Sequence, residues 1–433
     1  MATRSLIVLI VLAVLAGGGG WYAYMRFTPS AAAQYKTPEE AANVYVRFDM
    51  EAFDTIMAQY WQSGKESDLA SLYQLALAKV ENTNETLPSD DRAGVAQMLA
   101  AAFAGKSDTD QHDEALNVLQ VVLYNLAPTG RDQLMTGQQE QSFRNHVANI
   151  NPAQDLYATL GLQEGASTSS VQQAYQQKIA ELQASTSPQA KQQLADVRHA
   201  HTILSNATDK QLYDQTGMQP SISMRVVGAH TLYVDLSKVT PASFAEFVAE
   251  LQQKAADPAL TGMILDLRGN IGGTFDFLQN FLALFIGPNE YAFDLYSKGQ
   301  MQPQRTTNVA KLDVLSRFSN IALLTDGMTQ STAELTTAVF ERYHLARVIG
   351  ATTRGWGSVE NTYPLTTTID ASSTYALLLV NSLTLDENNQ PIEGNGVKPD
   401  VDVGQGGWQA KVRALFPPDL AQAVIGEFST TTK

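Results

Sequence analysis

The run Leu265-Asp266-Leu267-Arg268-Gly269-Asn270-Ile271-Gly272-Gly273 constrains the fold more than any other stretch. An apolar segment over 263–267 enters a glycine-rich turn, the pattern of a buried strand that must reverse abruptly. Further along, a second strand, 321–325, breaks through Asp326-Gly327-Met328-Thr329-Gln330 into a helix opening at Ser331. The surrounding pattern alternates. Strands are predicted over 231–236, 263–267, 321–325, 347–349 and 375–380, and helices over 241–255, 275–285 and 331–343. Such alternation argues an α/β layer on a substantially parallel sheet.

The preceding residues read differently. Over 6–24 the chain is uncharged and mostly apolar, between Arg4 and Arg26. At ~1.5 Å per residue this run is long enough to cross a bilayer core of ~30 Å. Trp21, Tyr22 and Tyr24 sit where interfacial aromatics belong, and Ala16-Gly17-Gly18 offers the alternative of a cleaved signal peptide. Residues 1–27 are therefore expected to be a transmembrane anchor or signal segment. The bulk of the chain would then lie outside the cytoplasm, at the cell membrane. A linker follows at 28–36, and then a helical domain at 37–150. There apolar residues recur at three and four, as in Ala115, Leu116, Val118, Leu119, Val122 and Leu123. The chain has no cysteine, which excludes disulfides and thiol catalysis and fits an oxidising compartment. Its net charge of −15 repels phosphate backbones, so nucleic acid is not an expected partner.

Two segments resemble known families. The glycine-rich turn, the Thr325-Asp326-Gly327-Met328-Thr329-Gln330-Ser331-Thr332-Ala333-Glu334 stretch and the closing Pro391-Ile392-Glu393-Gly394-Asn395-Gly396-Val397-Lys398-Pro399-Asp400-Val401 resemble, in order, the C-terminal processing (tail-specific, S41) serine peptidases over about 222–404. The resemblance implies an α/β core of layered sheet and helices like that of ClpP and crotonase, at 220–405, with 406–433 as a C-terminal tail. Between the helical domain and this core, Asp155-Leu156-Tyr157-Ala158-Thr159-Leu160-Gly161-Leu162, Val171-Gln172-Gln173-Ala174-Tyr175, Ala200-His201-Thr202-Ile203-Leu204-Ser205 and Tyr213-Asp214-Gln215-Thr216-Gly217 resemble a J-domain, expected over 151–219. The His-Pro-Asp triplet by which J-domains stimulate Hsp70 is absent from the loop 182–188, so Hsp70 is not an expected partner. The module stands where the peptidase family usually carries a PDZ domain.

The resemblance implies Ser331 as nucleophile. A hydroxyl at a helix N-terminus gains from the dipole as it becomes anionic, although an N-cap serine merely satisfying N–H groups is the simpler reading of the residue alone. Gly272 and Gly273, with the amide of Thr332, are candidates for the oxyanion hole. The family writes Gly-x-x-Thr-x-Gly-Lys-Gly-x-Val-Gln around its activating lysine. This chain has Gly350-Ala351-Thr352-Thr353-Arg354-Gly355-Trp356-Gly357-Ser358-Val359-Glu360, with Trp356 replacing the lysine. Indole nitrogen cannot take a proton and guanidinium cannot release one, so a Ser–Lys dyad at this site is excluded. Glu393 and His146 resemble the Glu and His of the tricorn-like branch, and Glu360 is a further candidate if burial raises its pKa. His230 and His344 are nearer the core in sequence. No cofactor or metal is expected. The function implied is a membrane-anchored extracytoplasmic serine endopeptidase acting on polypeptides. The alternative is an inactive relative that binds polypeptides or scaffolds an envelope complex, with Trp356 filling or lining the groove.

Overall fold

The computed structural model describes residues 36–183, 187–254 and 256–430. The apolar N-terminal run, expected as an anchor, lies outside these. Among the described residues no helix is long and apolar enough to cross a membrane.

Helices α1 (Pro38–Ala42), α2 (Val44–Gln59), α3 (Glu66–Glu81), α4 (Arg92–Phe103) and α5 (Asp108–Asn125) form the first layer. Their starts follow side-chain caps, with Asn43 accepting from Tyr45 and Val46 at α2 and Asp91 accepting from Gly94 at α4. Buried Arg92 spans Glu40 at 2.7 and 3.0 Å and Asp54 at 2.7 Å, tying α4 to α1 and α2. The region is not purely helical. It contributes β1 (Gln133–Thr136), which pairs antiparallel with a later strand, before α6 (Gly137–Val147). Four residues with no β-branching before the last carry little strand signal of their own; the partner strand supplies the ladder.

The J-like module holds α7 (Leu156–Thr159), α8 (Thr168–Gln183), α9 (Pro188–Ser205) and α10 (Ala207–Thr216) around Leu156, Tyr157, Val171, Val197, Ala200 and Leu204. Its ends meet. Ile150 bridges Met218, and Gln219 donates to the carbonyl of Asn149. The module is thus an excursion from one point on the rest of the chain.

The core follows as β2 (Ile222–Val227), β3 (Thr231–Leu236), α11 (Ser243–Lys254), β4 (Gly262–Asp266), α12 (Asp276–Ile286), β5 (Tyr291–Ser297), β6 (Gln300–Arg305), β7 (Asn320–Thr325), α13 (Thr332–Arg342), β8 (Arg347–Gly350), β9 (Ser358–Pro364), β10 (Tyr375–Thr384) and β11 (Val401–Asp402). One sheet runs β11-β8-β7-β4-β3-β2, parallel except for β2. Alternate residues face opposite layers. Met263, Leu265, Leu323 and Val348 meet Phe247, Phe281 and Phe340 of the helices α11–α13, whereas Ile264, Ala322, Leu324 and Ile349 face the other side. That other side is covered by α14 (Trp408–Leu415) and α15 (Pro418–Thr430) through Val412, Phe416, Leu420 and Val424. The segment expected as a tail is therefore a structural layer, because a sheet buried on one face only would expose Ile264 and Leu324. A second, antiparallel sheet orders β1-β10-β5-β6, with β9 also on β10, and carries the N-terminal helices on Leu365, Tyr375, Leu377 and Leu379.

Burial pushes several carboxyls far up, Asp132, Asp209 and Glu246 to about 7 and Glu341 to about 8. For each, the folded pKa exceeds that of the unfolded chain. Their neutral forms favour folding fully below about pH 4, and this advantage is lost as pH rises through 7 to 8. Burial also pushes Glu40 up, but the hydrogen bonds and charge of Arg92 outweigh it and hold the pKa low, so Glu40 opposes this trend only at acid pH. The expected outcome is a thermal midpoint several degrees higher at pH 5.5 than at pH 8.5, read by calorimetry. A midpoint that rises between these values would contradict the assignment.

Candidate active site

Strands β4 and β7 end side by side, and the turns that follow them are stitched together. Asp326 accepts from the N–H groups of Gly269, Met328 and Thr329 at 3.0, 2.9 and 2.9 Å. The Thr329 hydroxyl donates to the Leu267 carbonyl, and the Gln330 N–H to that of Asn270, each at 2.9 Å. Ser331 emerges from this knot with φ 57° and ψ −127°. A non-glycine residue in this region is strained by about 1–3 kcal/mol, and such strain persists where the surroundings overdetermine the backbone. The hydroxyl is not a helix cap. The Glu334 N–H donates to the Ser331 carbonyl at 2.9 Å, and among the described residues no hydrogen bond reaches Oγ.

Glu334 fixes this conformation. Fully buried, it accepts from the Thr353 hydroxyl at 2.5 Å and the Gly355 N–H at 2.7 Å on one oxygen. On the other it accepts from the N–H groups of Trp356 and Ser331, at 2.8 and 2.9 Å. The Ser331 N–H also reaches the Trp356 carbonyl at 3.1 Å. Nucleophile turn and the 353–356 loop are thereby one rigid unit. Burial raises the Glu334 pKa, and the four donors work against that rise.

The oxyanion side is equally defined. Asn270 donates to the Leu236 carbonyl at 2.7 Å and accepts from the Gly272 N–H at 2.8 Å. The Gly272 amide is thus taken up internally. Its part is spatial: at φ 84°, a Cβ there would stand 2.6 Å from the Ser331 Cβ. Gly273, at φ 149°, is clasped by Val239, whose N–H donates to the Gly272 carbonyl while its own carbonyl accepts from Thr274, both at 3.1 Å. The Thr332 hydroxyl donates to the Gly273 carbonyl at 3.1 Å. Among the described residues, neither the Gly273 nor the Thr332 N–H is donated to a protein acceptor. These two amides remain for an oxyanion.

Among the described residues, none of the candidate bases is hydrogen-bonded to Oγ. The Trp356 indole donates Nε1 to Glu360 at 3.0 Å and lies beneath the guanidinium of Arg131, 3.5 Å from the ring centroid. Glu360 also accepts from the Ser358 hydroxyl at 2.6 Å, and burial raises its pKa. Glu393 accepts from Arg131 at 2.7 Å and from the Gly357 N–H at 2.8 Å. His146, in the last turn of α6, offers its backbone carbonyl to the ammonium of Lys238. Partial burial and the Lys238 charge lower its pKa. His230 and His344 are remote. The first precedes β3, at the end of the parallel strands opposite Ser331, ~20 Å along the sheet. The second follows α13, ~16 Å along the helix from Ser331.

Sequence reasoning passed over Arg131, Asn270 and Lys238. Burial lowers the Lys238 pKa, and the residue directly precedes the Val239 clasp. A lone lysine after a strand carries no signal of this, and Arg131 is 262 positions from its partner Glu393.

A strained serine beside two undonated amides, at the ends of parallel strands, has the geometry that nucleophilic acyl transfer requires. Comparison with known proteins finds similarity to peptidases. Residues 230–403 match the model of peptidase family S41, and residues 155–214 match that of the DnaJ domain. A carboxy-terminal-processing protease of Bartonella bacilliformis is 28% identical over 176 residues, covering 40% of this chain and 38% of that protein. A CtpA-like serine protease of Staphylococcus epidermidis is 26% identical over 157 residues, covering 36% of this chain and 30% of that protein. The matched segment is thus well under half the length of either relative. Among solved structures, the photosystem II D1 C-terminal processing protease superposes with TM-score 0.48 at 11% identity, covering 83% of this chain and 93% of that one.

Proposed function

We propose that the chain is a serine-type peptidase of the S41 kind acting on polypeptides. Ser331 attacks the peptide carbonyl, the Gly273 and Thr332 amides hold the resulting oxyanion, and the proton passes to a base other than the family's lysine. The observation that carries the reading is the strained Ser331 with its unbonded Oγ, locked by Glu334 against Gly272 and Gly273. The base is drawn from Glu360, Glu393, His146 and Lys238. Glu360 accepts both of its hydrogen bonds on one oxygen, whereas both oxygens of Glu393 are engaged. Membrane anchoring through the apolar run 6–24 and an extracytoplasmic site of action belong to the same proposal, supported by that run and its flanking arginines.

One observation favours a second reading, polypeptide binding without hydrolysis. Trp356 occupies the lysine position and donates its N–H to Glu360, and among the described residues no hydrogen bond reaches Oγ. One experiment separates the two. The full-length chain and its Ser331→Ala variant are treated with a fluorophosphonate probe and given an unfolded protein substrate. The peptidase reading expects covalent labelling and cleavage in the wild type, both absent from the variant. A wild type that is neither labelled nor active between pH 5 and 9 sinks it, and gain of labelling in Trp356→Lys would then identify the silencing residue.

A further inference from the structure

In a chain of net charge −15, Arg354 is exposed and, among the described residues, in no ion pair. Its place is fixed. The Arg354 N–H donates to the Thr329 carbonyl at 2.9 Å, two residues before the nucleophile. The next N–H, of Gly355, is held at 2.7 Å by Glu334, the same carboxylate that holds the Ser331 N–H. The guanidinium lies 5.9 Å from the centroid of the Trp356 ring, near enough to be attracted by its face. The same ring has Arg131 at 3.5 Å, but Arg131 is neutralised by Glu393 at 2.7 Å. One indole, on the residue whose carbonyl accepts from the Ser331 N–H, thus carries two guanidinium groups, of which one has its counter-charge. Met328, 51% exposed on the turn leading to Ser331, adds apolar surface to the same rim.

We propose that Arg354 is a specificity residue of this site and takes a carboxylate carried by a polypeptide lying over Ser331. The inference rests on the polypeptide-binding part of the function proposed above, and not on hydrolysis. The guanidinium fork matches a carboxylate with two parallel hydrogen bonds. The acidity of the chain turns away polyanions, whereas a single carboxylate set down beside an unpaired cation is accepted. Two sources offer that chemistry, an Asp or Glu side chain within the polypeptide and the terminal carboxylate.

The test uses the full-length chain carrying Ser331→Ala, so that no peptide is consumed, with rhodamine-labelled peptides of one apolar sequence read by anisotropy. One peptide has an internal Glu and an amidated end, one a free terminal carboxylate and no Glu, and one is neutral and amidated. Adding Arg354→Gln is expected to weaken a carboxylate peptide by about tenfold, the effect of one charge-assisted hydrogen-bonded pair, and to leave the neutral peptide unchanged. Arg354→Lys restores part of the preference and Arg354→Glu inverts it. Loss confined to the Glu peptide assigns the side chain as source; loss confined to the free end assigns the terminus. Equal affinity for all three peptides before substitution overturns the proposal, as does a uniform drop in Arg354→Gln or binding of none. Hydrolysis by the wild type is measured apart, so discrimination without turnover sinks only the peptidase reading, and turnover without discrimination sinks only this one.

Discussion

Replacing Glu334 with alanine lowers the unfolding free energy by about 3–5 kcal/mol and abolishes fluorophosphonate labelling of Ser331. The stability loss follows from what is left behind. The Gly355 and Trp356 N–H groups and the Thr353 hydroxyl lose their acceptor inside a buried loop, and each unsatisfied donor costs about 1–3 kcal/mol. The Ser331 N–H keeps the Trp356 carbonyl and costs less. The functional loss follows because strain at φ 57° survives only while both loops are clamped. With the clamp gone, Ser331 relaxes toward an ordinary cap and its hydroxyl turns into the helix. Glu334→Gln distinguishes acceptor count from size. One oxygen keeps two donors, whereas the new NH₂ faces two more donors, so glutamine is expected to recover less than half of the stability. Urea unfolding followed by tryptophan fluorescence measures both variants. A loss under about 1 kcal/mol for alanine would mean that the loops hold without the carboxylate.

How far the sequence disclosed this arrangement depends on the range of the interactions. The parallel sheet was legible because β4 and β7 are short apolar runs punctuated by turn residues, and each punctuation is local. Motif order singled out Ser331 and Gly272–Gly273, and the structure brings Gly272 against Ser331. The same resemblance suggested two equivalent glycines, whereas the structure separates them: Asn270 takes the amide of Gly272, and Gly273 keeps its own free. That distinction depends on Asn270 also reaching Leu236 on a neighbouring strand. The strand β1 was hidden because Gln133, Leu134 and Met135 suit a helix as well, and only pairing with Leu378, Leu377 and Ala376 decides the matter. The C-terminal helices were hidden for the converse reason. Residues 406–433 were expected as a tail, and the need to cover Ile264 and Leu324 appears only once the sheet exists. Arg131 belongs by sequence to the helical region and by contact to the site, where it lies on Trp356. The N-terminal region therefore places a side chain directly on Trp356.

The glycine pair supplies the second large effect. Gly273→Ala is expected to slow the labelling of Ser331, and any turnover, by about 10²–10³-fold, the effect of losing one oxyanion donor. At φ 149° an alanine is strained wherever there is space, and here there is none, since its Cβ would stand 1.6 Å from the Val239 carbonyl oxygen. That oxygen is backbone and is fixed by Thr274, so no side chain can swing aside to relieve the contact. The loop must move instead, and it carries the free Gly273 amide with it. A shift of even half an ångström misdirects a hydrogen bond aimed at a developing charge. Gly228→Ala is the control. It too has positive φ, at 60°, but nothing lies within 4 Å of its added Cβ. It is expected to cost about 1 kcal/mol of stability through backbone strain alone and to leave the labelling rate unchanged. Labelling kinetics beside thermal melts of both variants separate the two effects. If Gly273→Ala reacts as fast as the wild type while melting at a lower temperature, the Gly273 amide has no part in stabilising charge and the oxyanion site must be sought elsewhere. A rate lost far beyond what the melt explains identifies that amide as a working donor.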